Sequence, residues 1–169
     1  MSAQNEKLTV ARVLQEIRKC GFTHVIWLPD TGSRPLYDAL AREAGITMVP
    51  VCREGEALAI AAGLMWGGKN PLVLIQCTGF FESGDSVRGV AMDTRLPQLM
   101  MIGYRGWRRD APVTDSAALF TEPIMDGWGI KHYLVECDDD AGKISLGFKE
   151  SHETRKPVAI LVGKEYSQL

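Results

Sequence analysis

The chain has 169 residues, 46% of them hydrophobic, and a formal net charge of -2. That suits one globular domain with a real core and argues against nucleic acid as a partner. No basic block, low-complexity tract or repeat is present. The first residues lack the basic-then-apolar pattern of a secretion signal, and no apolar run approaches the roughly 20 residues of a membrane span. Cys20, Cys52, Cys77 and Cys137 have no CxxC spacing, so they read as free thiols of a cytoplasmic protein.

Leu8 to Lys19 has apolar residues at helical spacing, with Gly21 placed to end the helix. His24–Leu28 is a short strand, stopped by Pro29-Asp30-Thr31-Gly32-Ser33. Ser33 is set to cap a helix over 34–44, with Pro35 in its first turn. Ile46–Val51 is the second strand, and a helix runs from Glu54 to Trp66, rich in Ala, Ile and Leu. A helix this apolar is expected to be buried on most of its surface. Leu72–Gln76 is an aliphatic strand of the kind buried on both faces. Thr78-Gly79 follows in a loop over 77–83, then a helix over 84–95.

Gln98–Gly103 is the fourth strand and 104–115 a polar, arginine-rich loop. A helix near 117–127, a strand over Lys131–Glu136, a helix over 139–152 and a strand over Val158–Val162 complete the chain. Strands alternating with helices imply an α/β, three-layer αβα domain with a mainly parallel six-stranded sheet. Such sheets take ligands beyond the carboxyl ends of their strands. The informative loops are therefore 29–33, 52–55, 77–83 and 104–110.

No GxGxxG follows the first strand, and no GxxxxGK[ST] occurs. His24, His132 and His152 all lie outside the ligand-facing loops, which disfavours a Ser-His-Asp site. Glu54 and Glu56 open a helix, where carboxylates are ordinarily favourable by about 0.3–1 kcal/mol. Glu56 suits that role. Arg105, Arg108 and Arg109 form a cationic loop that serves either an anionic ligand or a solvated surface. Trp107, Phe80 and Phe81 are candidates for an apolar contact surface.

Glu54 stands in the pattern E-x(3)-A-x(4)-G, closing at Gly63. This resembles the glutamate helix of the pyrimidine-binding (PYR) domain of thiamine-diphosphate-dependent enzymes. Leu28-Pro29-Asp30-Thr31 resembles the turn after that domain's first strand. Gln76-Cys77-Thr78-Gly79 resembles the loop that cradles the cofactor's aminopyrimidine. Met101-Ile102-Gly103-Tyr104-Arg105-Gly106 resembles a segment of phosphonopyruvate and sulfopyruvate decarboxylases, the α-subunits of the latter above all. The resemblance spans about residues 8–163.

The resemblance implies a Rossmann-like, thiamine-diphosphate-binding fold of PYR type. It implies that Glu54 hydrogen-bonds N1′ of the aminopyrimidine and shares a proton with it, a task suited to a desolvated carboxyl with a raised pKa. Thr78, Gly79 and Phe80 would contact the cofactor; Asp30, Thr31 and Arg105 would face substrate. Cys77 stands where some relatives place a histidine, and Trp107 where close relatives often have glutamate. The diphosphate signature of these enzymes, GDG followed by an asparagine, is missing: Ser83-Gly84-Asp85-Ser86 reads as a helix start, and no Asn follows Asn70.

Residues 1–169 are therefore expected to be a single PYR-type domain with no metal ligands. Mg²⁺ and the diphosphate would be held by a separate pyrophosphate-binding β-subunit, in an assembly of at least two αβ pairs. The implied activity is non-oxidative decarboxylation of 3-sulfopyruvate or 3-phosphonopyruvate, a carboxy-lyase reaction needing both subunits. Two alternatives stay open: a carboligase or a decarboxylase of another 2-oxo acid, and a non-catalytic partner of such an enzyme.

Overall fold

A computed structural model describes residues 7–167. The elements in order are β1 (Leu8–Thr9), α1 (Val10–Cys20), β2 (His24–Trp27), α2 (Arg34–Leu40), β3 (Thr47–Pro50), α3 (Glu54–Trp66), β4 (Pro71–Gln76) and α4 (Cys77–Glu82). A π-helix over Ser86–Met92 follows, then β5 (Leu99–Gly103), α5 (Ser116–Trp128), β6 (Lys131–Val135), a 3₁₀ turn at Asp138–Asp140, α6 (Gly142–Thr154), β7 (Val158–Val162) and β8 (Tyr166–Ser167).

Six strands form one sheet in the order β3-β2-β4-β5-β7-β6, and every pairing in it is parallel. The α/β fold with helices on both faces is thus the one expected from the alternation of elements. β4 shows why it is buried on both sides. Leu72 and Leu74 point into one core with α1, α2 and α6, while Val73 and Ile75 point into the other with α3 and α5. Each such side chain, fully buried, contributes about 1.5–3 kcal/mol.

Several boundaries differ from the sequence reading, each for a local reason. Leu8 and Thr9 leave the first helix to pair with Tyr166 and Ser167 in a separate two-stranded sheet. Thr9 then caps α1, its hydroxyl accepting from the Arg12 amide at 3.2 Å. Gly21 ends α1 in the left-handed conformation at φ 66, as its placement suggested. Ser33 precedes α2, but its hydroxyl accepts from Trp27 Nε1 at 2.7 Å and makes no cap, and the helix stops at Leu40. The segment 77–83 is mainly helical: α4 starts directly at Cys77. The expected 84–95 helix is a shorter π-helix.

The expectation that α3 is buried on most of its surface is corrected. Ala57, Leu58, Ala61 and Ala62 face the sheet, but Ala59, Ile60, Gly63 and Trp66 are exposed, Trp66 by 68%. A single sheet covers only one side of a cylinder. On the same layer, α5 exposes Leu119, Phe120 and Trp128. No helix among the described residues is long and apolar enough to cross a membrane.

Candidate functional site: a free carboxylate beside a cavity at the strand ends

The chain leaves β3 through Val51, whose amide donates to Trp27 O at 3.0 Å, and enters α3 at Glu54. Arg53 occupies the cap position in an extended conformation and offers no side-chain acceptor. Others supply the missing acceptors. Gly55 N donates to Glu82 Oε2 at 2.8 Å, and Glu82 also pairs with the Arg53 guanidinium, Nε at 2.9 Å. This pairing holds the Glu82 carboxyl below the usual carboxylate range. Glu56 reaches back to accept from Cys52 N at 3.3 Å, the ordinary first-turn role expected of it.

Glu54 is different. It is half-buried, and its carboxylate has no hydrogen-bond or ion-pair partner among the described residues. Its side chain lies directly over Gly79 of α4: a Cβ there would stand 2.2 Å from Glu54 Cγ and 2.3 Å from Oε1. Only glycine permits that approach. Thr78 is exposed beside it, its hydroxyl donating to Gln76 Oε1 at 3.0 Å.

Gln76 links this spot to a cavity of about 480 Å³ over the carboxyl ends of the central strands. Asp30, Thr31 and Arg105, the residues read as substrate-facing, all line it. Thr31 is exposed, and Asp30 serves its own turn, accepting from Ser33 N at 3.0 Å and from the Ser33 hydroxyl. Arg105 is exposed, and its guanidinium approaches the Asp115 carboxylate at 3.5 Å. Arg109 instead pairs with Glu136, and Arg108 is exposed outside the cavity lining.

One wall is rigid. Trp107 stacks on Tyr104 at 5.2 Å between ring centres, with the planes 6° apart, and donates to Glu136 Oε1 at 2.8 Å. Tyr104 in turn donates to Ala118 O at 3.1 Å, and burial pushes its phenol well up. Gln76, part of the loop read as a cofactor cradle, also lines the cavity, as do Lys164, Glu165 and Tyr166, which were not singled out from the sequence. The signal for the last three was their position after a parallel strand, which is weak without the strand order.

Phe80, read as a cofactor contact, turns its ring into the protein interior. It is completely enclosed, packing on Phe81 and Trp128 with ring centres 6.2 and 5.9 Å away. It also forms no common surface with Trp107, which sits at the cavity. Cys77 is buried too; its thiol donates to Arg105 O at 3.7 Å, and burial pushes its pKa up. None of the three histidines lines the cavity; His24, for instance, bonds Thr23 Oγ1 at 2.9 Å. Asp85 of the SGDS segment pairs with Arg88 at 2.6 Å at the start of the π-helix.

The set suits an aminopyrimidine: a half-buried carboxylate with no hydrogen-bond or ion-pair partner among the described residues, beside a glycine whose side-chain space it occupies. Among the described residues no group of three His, Cys, Asp or Glu is gathered to hold a metal.

Residues 9–105 match the family described as "Thiamine pyrophosphate enzyme, N-terminal TPP binding domain". The chain is 25% identical over 141 residues to sulfopyruvate decarboxylase subunit alpha of Methanocaldococcus jannaschii, covering 82% of this chain and 83% of that one. It is 25% identical over 159 residues to the protein of the same name from Methanococcus maripaludis, covering 91% and 93%. Its fold superposes on 2-oxoglutarate:ferredoxin oxidoreductase from Magnetococcus marinus with a TM-score of 0.72 at 18% identity, covering 90% of this chain but only 28% of that one.

Proposed function

Since the chain belongs to the thiamine pyrophosphate enzyme family, through its N-terminal TPP-binding domain, we propose that it is the α-subunit of a split 2-oxo acid decarboxylase. Its substrate is an anionic pyruvate derivative, 3-sulfopyruvate or 3-phosphonopyruvate, and its product the corresponding aldehyde. The observation that carries this reading is the Glu54 carboxylate, pressed over Gly79 and without a partner, while Glu56 and Glu82 are both engaged.

In this reading residues 1–169 are one PYR-type domain, and a β-subunit grips the diphosphate and Mg²⁺. The cofactor, when bound, supplies the electron sink for loss of CO₂. Glu54 hydrogen-bonds the aminopyrimidine N1′ and shares a proton with it. Gly79 leaves room for the Glu54 side chain to take that position, and Thr78 borders the spot. Arg105 and Thr31 orient the acid in the cavity. Acid-base groups that relatives supply by histidine come from elsewhere, because Cys77 is a buried thiol. The exposed apolar faces of α3 and α5 give the partner a surface to cover.

The experiment is reconstitution with the pyrophosphate-binding subunit. The chain alone is expected to be inactive and the pair to release CO₂ from 3-sulfopyruvate or 3-phosphonopyruvate. Glu54→Gln should lower turnover at least about a hundredfold with assembly intact, the loss of a positioned acid-base group. Full activity of the chain alone overturns the split-enzyme reading. Unchanged turnover of Glu54→Gln moves the chain to a non-catalytic partner role.

A further inference from the structure

We propose that the cavity over β2, β4, β5 and β7 is an acid-recognition subsite in which Lys164 joins Arg105 to hold a sulfonate or phosphonate group. The identity of the substrate it serves rests on the decarboxylase reading; the subsite itself rests on the placement of the two cations.

β5 and β7 are parallel neighbours with Gly103 paired to Val162. Arg105 and Lys164 each stand two residues beyond that pair, on adjacent turns, and both line the cavity. The sheet register thus sets two positive side chains at one mouth. Adjacent strands run only about 4.8 Å apart. Two positive side chains rooted on neighbouring turns at one mouth repel each other, and an anion bound between them offsets that repulsion.

Among the described residues these two cations are less closely paired than Arg53 and Arg109. Arg53 and Arg109 have close carboxylate partners. Arg105 has one approach, at 3.5 Å, and Lys164 is exposed with no ion pair among the described residues. Of the acidic groups in the lining, Asp30 is turned to Ser33, and Glu165 has no hydrogen-bond or ion-pair partner among the described residues.

The turn that carries Lys164 is fixed. Gly163 N donates to Val135 O at 2.9 Å. A Cβ on Gly163 would stand 2.7 Å from Trp107 Cδ1 and 2.9 Å from Glu136 Cγ. The turn therefore sits flush against the stacked wall, and the lysine starts from a set position. A guanidinium fork and an ammonium point charge on neighbouring turns match a tetrahedral acid with three terminal oxygens better than a planar carboxylate.

The test is titration of sulfoacetate into the full-length chain, followed by amide NMR of the 103–107 and 163–166 turns, with propionate as control. Sulfoacetate should shift both turns and propionate neither. Lys164→Ala and Arg105→Ala should each weaken binding about tenfold, the worth of one charge-assisted hydrogen bond. Lys164→Arg should restore it, and Glu165→Gln should tighten it. Sulfoacetate shifts no stronger than those of propionate, or wild-type binding by Lys164→Ala, overturn the subsite.

Turnover by the reconstituted pair separates the two proposals. If Lys164→Ala loses sulfoacetate but the wild-type pair decarboxylates no anionic 2-oxo acid, the subsite stands and the decarboxylase reading falls. If the pair turns over 3-sulfopyruvate with an unchanged KM in Lys164→Ala, the subsite falls and the decarboxylase reading stands.

Discussion

Gly79→Ala separates fold from function more sharply than any other single change. The new methyl would stand 2.2 Å from Glu54 Cγ, 2.3 Å from Oε1 and 2.4 Å from Cδ. Non-bonded carbons need about 3.5 Å, so the Glu54 side chain must retreat by about 1 Å or more. The three nearest atoms all belong to that one flexible side chain, so the accommodation falls on Glu54 first. Stability should therefore hold or rise slightly: Gly79 lies inside α4, where alanine is favoured over glycine by up to about 1 kcal/mol. Turnover should fall about a hundredfold, the usual result of displacing a reacting group by about 1 Å. Urea unfolding of the isolated chain gives the first quantity, and kcat of the reconstituted pair gives the second. A variant that keeps wild-type kcat, or one that unfolds, would refute the claim that this glycine exists to seat Glu54.

Further outcomes follow from other contacts. Glu82→Gln removes the charged acceptor for Gly55 N and the partner of Arg53, and should cost about 1 kcal/mol in urea unfolding, as loss of a helix cap does. Glu16 is buried in α1; burial alone would raise its pKa, but hydrogen bonds from Lys19, Ser145 and Arg12 outweigh that and hold it at about 2, against 4.5 unfolded. Its contribution, about 3 kcal/mol, is present above pH 4.5 and is lost as pH falls toward 2, so acid unfolding of Glu16→Gln should be shallower over that window. Trp66→Ser should weaken association with the partner at least about tenfold in sedimentation or calorimetry, with the melting temperature of the isolated chain unchanged.

The large features of the fold were legible because each rests on a local pattern. β4 is aliphatic on both faces, α3 runs from Glu54 to Trp66 as its composition suggests, and Gly21 stops α1 as only a residue tolerant of positive φ can. The misreadings share a different cause. α4 begins directly on β4 with no turn residue to mark it, and β1 and β8 are two-residue strands that exist only because distant ends meet. Glu54 could be told from Glu56 by motif, but not by any rule of helix capping. What separates them physically is Glu82 from another helix, which takes up the Gly55 amide. Lys164 was invisible for a similar reason. Its pairing with Arg105 depends on β7 lying beside β5, and strand order is not written in the alternation of elements.

The uncovered side of α3 also bears on the life of the chain before assembly. A helix apolar on all sides, with Trp66 in solvent, gives an unpartnered copy the marks by which chaperones and proteases recognise incomplete proteins. In the proposed enzyme, excess α-subunit would be cleared and not stored. The cellular level of this chain would then follow the synthesis of its partner, and a lesion in the partner's gene would show as missing α-subunit before it showed as missing activity.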